Sequence, residues 1–183
     1  MTQYNIIAES QEYTVVAEFD HVATPAEAYQ SEADLEKEFI RLLGEQGYEY
    51  LPIHKEADLI FNLRDQLEKL NHYHFTDNEW EHFFNECIAN KNDDIVAKTA
   101  KIQDDYIQVL KRDTGESQNI KLIDKDNIHN NFVQVINQYV EEGGNYDTRY
   151  DVSILVNGLP LVHIELKRRG VQLKEAFNQI NRY

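Results

Sequence analysis

The chain has 183 residues, 42% of them hydrophobic, and a net charge of −15, which indicates a globular protein with a substantial core. No apolar run approaches the roughly 18 residues of a membrane span, the N-terminus lacks the basic and apolar regions of a signal peptide, and Cys87 is the single cysteine. We therefore expect a cytoplasmic protein of one domain, residues 1–183, with no membrane contact and no internal disulfide.

The charge is unevenly distributed. Taken alone, an acidic chain argues against free-standing nucleic-acid binding, because phosphate contacts need a basic surface. However, residues 165–183 carry a net charge of +3, whereas the rest of the chain carries −18. A basic corner of this kind can hold DNA if partner subunits supply most of the affinity.

The first strong secondary-structure signal is a helix over residues 31–46. Before it there are only weak extended signals, around residues 13–16, and a turn near Pro25. Ser31 and Asp34 resemble a capping pattern, and Gly47 suits the C-terminal stop. The stripe of apolar residues at helical spacing consists of Leu35, Phe39, Leu42 and Leu43.

Three further helices follow. They are predicted over residues 57–70, from Thr76 onward, and over residues 94–102. Thr76 and Glu79 have the spacing of a capping box. The core residues expected after Thr76 are Trp80, Phe83, Phe84, Cys87 and Ile88.

Beyond residue 103 the apolar pattern changes to the alternation of β-strands. Strands are predicted over residues 106–110, 120–123, 132–140, 152–156 and 161–166. The predicted turns and breaks are residues 113–116, Gly143–Asn145 and the pair Asn157-Gly158. Residues 172–183 have the pattern of a final helix.

The Asn157-Gly158 hairpin brings three chemically active side chains together. It brings Asp151 opposite the region of Glu165, and strand alternation puts Glu165 and Lys167 on one face. With the appropriate register, Asp151 joins that face. The apolar residues expected to face the core instead are Val152, Ile154, Val156, Val162, Ile164 and Leu166. Two carboxylates and the backbone carbonyl of Leu166 are oxygen ligands of the kind that Mg²⁺ takes. Such a site would polarise a phosphodiester, with Lys167 orienting the attacking water or stabilising the transition state.

Simpler interpretations of these residues remain open on spacing alone. Glu165 and Lys167 could form an ordinary ion pair at a strand end. Arg168 and Arg169 could contact phosphates or form a solvated charge run. We expect His163 to be structural. No zinc site is expected, because the histidines near Cys87 lack metal-ligand spacing, and no phosphate-binding P-loop motif is present.

A family resemblance favours the nuclease interpretation. Asp151 followed by Glu165-Leu166-Lys167 resembles the PD-(D/E)xK nuclease superfamily, and Gln179 with Tyr183 has the Gln-x-x-x-Tyr spacing of its RecB-like branch. Residues 150–170 closely resemble the restriction subunit (HsdR) of type I restriction–modification enzymes, as do residues 29–36 and 175–179. Tyr150 stands where the superfamily name has Pro, a departure that many members share.

The resemblance implies an α/β fold, a mixed sheet flanked by helices in the core order α-β-β-β-α-β. The helices over residues 57–102 would be an insertion, and the last core strand would follow residue 183. An acidic residue in the first core helix often accompanies the metal, which makes Glu36, and Glu32 one turn earlier, candidates for holding metal or its water. An ordinary solvated helical carboxylate is the alternative. Gln179 and Tyr183 would position DNA.

The resemblance also implies a much longer protein, in which a motor translocates double-stranded DNA. Its partners would be the methylation (HsdM) and specificity (HsdS) subunits. Mg²⁺ would serve this domain, whereas ATP and S-adenosylmethionine would serve the whole assembly. The alternatives are a non-catalytic DNA-docking or assembly module and a stand-alone resolvase-like nuclease.

Overall fold

The computed structural model describes residues 4–9, 15–19, 31–141 and 148–167, which form a mixed α/β fold. The helices are α1 (Glu32–Glu45), α2 (Glu56–Asn71), α3 (Asp77–Phe83), continued by a π-helical turn (Phe84–Ile88), and α4 (Ile95–Gln103), with a 3₁₀ turn at Ile128–Asn130. The strands are β1 (Tyr4–Glu9), β2 (Val15–Phe19), β3 (Glu49–Tyr50), β4 (Ile107–Lys111), β5 (Ser117–Lys121), β6 (Val133–Glu141), β7 (Thr148–Val156) and β8 (Leu159–Ile164). Within these ranges no helix is both long and apolar enough to cross a bilayer.

The four predicted helices in the described ranges are confirmed, and local capping explains where they begin. The Ser31 side chain accepts a hydrogen bond from the Asp34 backbone N–H at 3.1 Å. Thr76 and Glu79 form both halves of a capping box. The Asp94 carboxylate accepts from the backbone N–H at the start of α4. These contacts satisfy N–H groups that have no partner inside the helix.

The central sheet has the order β3-β6-β7-β8, with β3 parallel to β6 and the other pairs antiparallel. The predicted strands over residues 132–140, 152–156 and 161–166 are present as β6, β7 and β8, with different ends. The start of β7 was predicted too late, because this strand also pairs with β6 as far as Thr148. Asp151 therefore lies inside a strand. The end of β8 was predicted too late, so that Glu165 and Lys167 follow the strand. The short strand β3 was not predicted.

Apolar residues cover both faces of this sheet. On one face, Val135 and Val152 pack with Leu43 of α1, and the residues packed around them are Phe39, Ile40, Tyr48, Ile154, Ile164 and Leu166. On the other face, Ile136 and Leu155 pack with Ile53 and, from α2, Leu59. Val162 was predicted to face the core, but it is 44% exposed because it lies on β8, the edge strand of the described sheet.

The segment between β3 and β6 packs around a second core. Its buried residues come from α2, residues 75–83, the β4–β5 hairpin with the residue after it, and the first residue of β8, and they are Leu63, Leu67, Phe75, Trp80, Phe83, Leu110, Ile120, Leu122 and Leu159. Besides the helices predicted over residues 57–102, this segment contains the separate two-stranded sheet β4–β5. The strand expected over residues 120–123 covers Ser117–Lys121 instead, because the turn closes between Arg112 and Glu116 and pairing resumes at once.

The N-terminal residues form the hairpin β1–β2, in agreement with the weak extended signals. The predicted turn near Pro25, the break at Gly143–Asn145 and the helix over residues 172–183 lie outside the described residues.

Candidate active site

The register of the β7–β8 hairpin sets Asp151 opposite Glu165. Val152 pairs with Ile164, so the next residue outward on each strand is Asp151 on one and Glu165 on the other. The Asp151 carboxylate accepts a hydrogen bond from the backbone N–H of Leu166 at 2.9 Å. This hydrogen bond connects the residues that follow β8 to β7, the strand that contains Asp151. It lies at the end of the hairpin opposite the Asn157-Gly158 turn.

The Glu165 side chain is only 3% exposed, less than that of Lys167. The ammonium Nζ of Lys167 lies 3.5 Å from its Oε2 oxygen, and the Lys167 side chain is 19% exposed. Burial raises the pKa of Glu165 above its usual value of 4.5, and the negative charge of Asp151 raises it further. Lys167 acts in the opposite direction, but it does not cancel these effects. Two carboxyl groups and one ammonium therefore meet at a largely desolvated corner.

The chemistry of these donors suits a divalent cation. Two crowded carboxylates repel each other, and a cation between them would remove the repulsion that raises the pKa of Glu165. The described residues contain no cluster of three or more His, Cys, Asp or Glu side chains that could hold a metal ion. If a cation binds here, Asp151 and Glu165 would supply two carboxylates, and backbone oxygen and water would supply the remaining ligands. Leu166, predicted to offer its carbonyl, contributes its N–H to Asp151 in this structure.

Glu36, on helix α1, contacts the central sheet. Its Oε1 accepts a hydrogen bond from Asn137 Nδ2 at 2.6 Å, and its Oε2 accepts one from Gln138 Nε2 at 2.5 Å. Both amides belong to β6, the strand that pairs with the strand of Asp151. Glu32, the other candidate on α1, is exposed in the first turn of the helix.

Asn137 and Gln138 were not predicted from the sequence to be site residues. A signal was available, because two consecutive amide residues interrupt an apolar strand. Their importance depends on Glu36, which is 101 residues from Asn137 in the sequence and cannot be paired with it by spacing.

Of the remaining residues considered from the sequence, His163 lies within the described ranges and the DNA-positioning candidates do not. His163 has a structural environment, since its ring stacks on Tyr150 with centroids 4.0 Å apart and its Nδ1 lies 2.8 Å from Ser153 Oγ. The DNA-positioning candidates lie outside the described residues, and they are Arg168, Arg169, Gln179 and Tyr183.

Comparison with known proteins is consistent with this geometry. Residues 29–183 match the family described as type I restriction enzyme R protein N terminus. The type I restriction enzyme EcoprrI endonuclease subunit of Escherichia coli is 48% identical over 178 residues, which cover 97% of this chain and 56% of that protein. A type I restriction enzyme endonuclease subunit of Staphylococcus saprophyticus is 41% identical over 160 residues, which cover 85% of this chain and 17% of that protein. The chain thus spans about half or less of the length of these relatives, and it belongs to the type I restriction enzyme R protein N-terminal family.

Proposed function

We propose that residues 1–183 form the endonuclease domain of a type I restriction enzyme R subunit and hydrolyse phosphodiester bonds of double-stranded DNA. The observation that carries the proposal is the convergence of Asp151, Glu165 and Lys167 at one buried corner in a member of this family. An ordinary surface ion pair would leave its carboxylate hydrated, whereas the Glu165 side chain is almost fully buried beside a second carboxylate.

We assign the fold to the PD-(D/E)xK superfamily. Support comes from the order of the elements, since α1 and the two-residue strand β3 are followed in the central sheet by the antiparallel meander β6–β7–β8. Apart from β3, this order agrees with the first four elements of the superfamily core. In this assignment β7 and β8 carry the motif, and α2 to α4 with β4–β5 are the insertion between core elements.

In the proposed mechanism, Asp151 and Glu165 would hold the divalent cation, together with the backbone carbonyl of Leu166. The cation, Mg²⁺ in our proposal, supplies Lewis acidity when bound and favours deprotonation of water. The Leu166 N–H orients the Asp151 carboxylate. Lys167, 3.5 Å from Glu165, orients the attacking water or stabilises negative charge that develops on the phosphate. Glu36 contributes a further carboxylate from α1, directly or through water.

DNA binding by this domain depends on the basic segment and on partners. Arg168 and Arg169 would contact phosphates, and Gln179 and Tyr183 would position a nucleotide. Because the chain carries a net charge of −15, we propose that HsdM and HsdS subunits supply most of the affinity and the target recognition. ATP would drive translocation by the rest of the R subunit, and S-adenosylmethionine would bind the modification part.

The test is cleavage by full-length R subunit reconstituted with its partner subunits. Asp151→Ala, Glu165→Ala and Lys167→Ala should each abolish DNA cleavage while ATP hydrolysis continues, because in our proposal the motor is a separate part of the R subunit. Near wild-type cutting by the Lys167 variant would remove that residue from the catalytic set.

A matched control is available on α2, where Lys69 forms an ordinary exposed ion pair with Asp65 at 2.7 Å. Lys69→Ala should leave cleavage unchanged. Calorimetric titration with Mn²⁺ separates the nuclease from a docking module, since a docking module would bind Mn²⁺ no better than its Asp151→Ala variant. Cutting that needs neither partners nor ATP would favour a stand-alone nuclease.

A further inference from the structure

Strand β6 is irregular at the position that faces Asp151. Its pairing with β7 passes from Asn137 with Val152 to Tyr139 with Tyr150, which sets Gln138 opposite Asp151. Gln138 has a φ of +52°, in the left-handed region that residues other than glycine rarely adopt. A residue in this conformation does not stabilise the interior of a strand. Strained backbone of this kind is concentrated at functional sites.

The irregularity brings two consecutive side chains to one carboxylate. In a regular strand, neighbouring side chains point to opposite faces of the sheet. Here Asn137 and Gln138 donate to the two different oxygens of Glu36, at 2.6 and 2.5 Å. The Asn137 side chain is held in turn, because its Oδ1 accepts a hydrogen bond from the Tyr50 hydroxyl at 2.9 Å. Both oxygens of Glu36 are therefore oriented from β6.

Helix α1 does not need this contact in order to dock. Its apolar face, with Phe39, Ile40 and Leu43, already packs against Val135 and Val152 of the sheet. Hydrophobic burial of this kind supplies most of the free energy that joins a helix to a sheet. The two amide bonds instead determine where one carboxylate lies relative to the strand of Asp151.

We propose that Asn137 and Gln138 are positioning residues of the nuclease site, and that they act by holding the Glu36 carboxylate in place beside the strand of Asp151. The inference rests on the proposed function. Residues that orient a metal-site carboxylate through hydrogen bonds contribute about 10-fold to 100-fold in metal affinity or activity. The Asn137–Gln138 pair would have this role for Glu36.

The experiment is a double-mutant cycle in the full-length R subunit. Gln138→Gly deletes the amide but tolerates the positive φ, and Glu36→Gln is nearly isosteric with the native side chain. We expect each single variant to lower the cleavage rate of the reconstituted enzyme by about 10-fold and to raise the Mn²⁺ dissociation constant, measured by calorimetry, by about the same factor. The double variant should lose no more than the Glu36→Gln variant, because Gln138 acts through Glu36.

The control is Gln118→Gly, the same substitution in strand β5. It should leave the cleavage rate and the Mn²⁺ affinity unchanged. If Gln138→Gly equals wild type in both measurements while Asp151→Ala is inactive, the positioning role is refuted and the proposed function stands. Additive losses that follow a lowered unfolding temperature would also refute it, since they would indicate a purely structural role. If the wild-type enzyme does not cleave and binds no Mn²⁺, the proposed function itself fails.

Discussion

The turn between β7 and β8 should not tolerate a side chain at Gly158. Asn157 and Gly158 have φ values of +52° and +81°, as a tight hairpin of this type requires. A Cβ atom added to Gly158 would lie 2.6 Å from the Cα and 3.0 Å from the backbone N of Leu63. These atoms belong to the backbone of α2, so relief requires the helix and the turn to move apart.

Two effects contribute to the loss in free energy of unfolding that we expect for Gly158→Ala. The left-handed conformation costs a residue with a Cβ about 1–2 kcal/mol. Overpacking at a closely packed contact costs about 1–3 kcal/mol more. The free energy of unfolding should therefore fall by about 2–5 kcal/mol, which lowers the unfolding temperature of a chain of this size by about 4–20 °C.

A second glycine distinguishes the effect of the left-handed conformation from the effect of overpacking. Gly115, in the turn between β4 and β5, has a φ of +86°, and nothing lies within 4 Å of its added Cβ. Gly115→Ala should therefore show only the conformational term, about 1–2 kcal/mol. Urea and thermal unfolding, followed by circular dichroism, measure both variants. Equal losses at the two positions would refute the argument from close approach to Leu63.

Two further predictions concern the candidate site. Glu165→Gln should raise the unfolding temperature at neutral pH, because burial and the charge of Asp151 raise the pKa of Glu165 above 4.5 and disfavour its ionised form in the folded state. This gain should shrink as the pH falls toward 4.5 and disappear below 4.5, where Glu165 is protonated in both states, and a gain independent of pH in thermal unfolding would contradict the assignment. Tyr183→Ala should impair cleavage by the reconstituted enzyme and leave calorimetric Mn²⁺ binding intact, since a phenol is a poor metal ligand at neutral pH; loss of Mn²⁺ binding in a folded variant would exclude a positioning role.

Sequence patterns predicted best those elements that depend on neighbouring residues. The capping box of Thr76 and Glu79 marks the start of α3, and both of its hydrogen bonds are present. The Asn157-Gly158 pair predicted a hairpin, and that hairpin does set Asp151 opposite Glu165. Each signal operates over a few residues, where helix capping and turn geometry are decided by local hydrogen bonds.

Strand ends and solvent exposure were predicted less well, because they depend on what lies on the other side of a strand. β7 extends back to Thr148 because β6 pairs with it there, and this places Asp151 within the strand. Val162 has the alternation of a core residue but lies exposed on an edge strand. A local sequence pattern does not predict which strand will lie beside a given strand in the sheet.

The sequence by itself therefore determined the helices of the described ranges and the hairpin that brings Asp151 to the region of Glu165, since these follow from contacts among near neighbours. Only the tertiary structure decided that Glu165 is buried, that Gly158 touches the backbone of Leu63, and that Glu36 is held by two amides of β6. The physical reason is that burial and close approach arise between segments far apart in the chain. Their partners are selected by the packing of the whole domain, which local propensity does not encode.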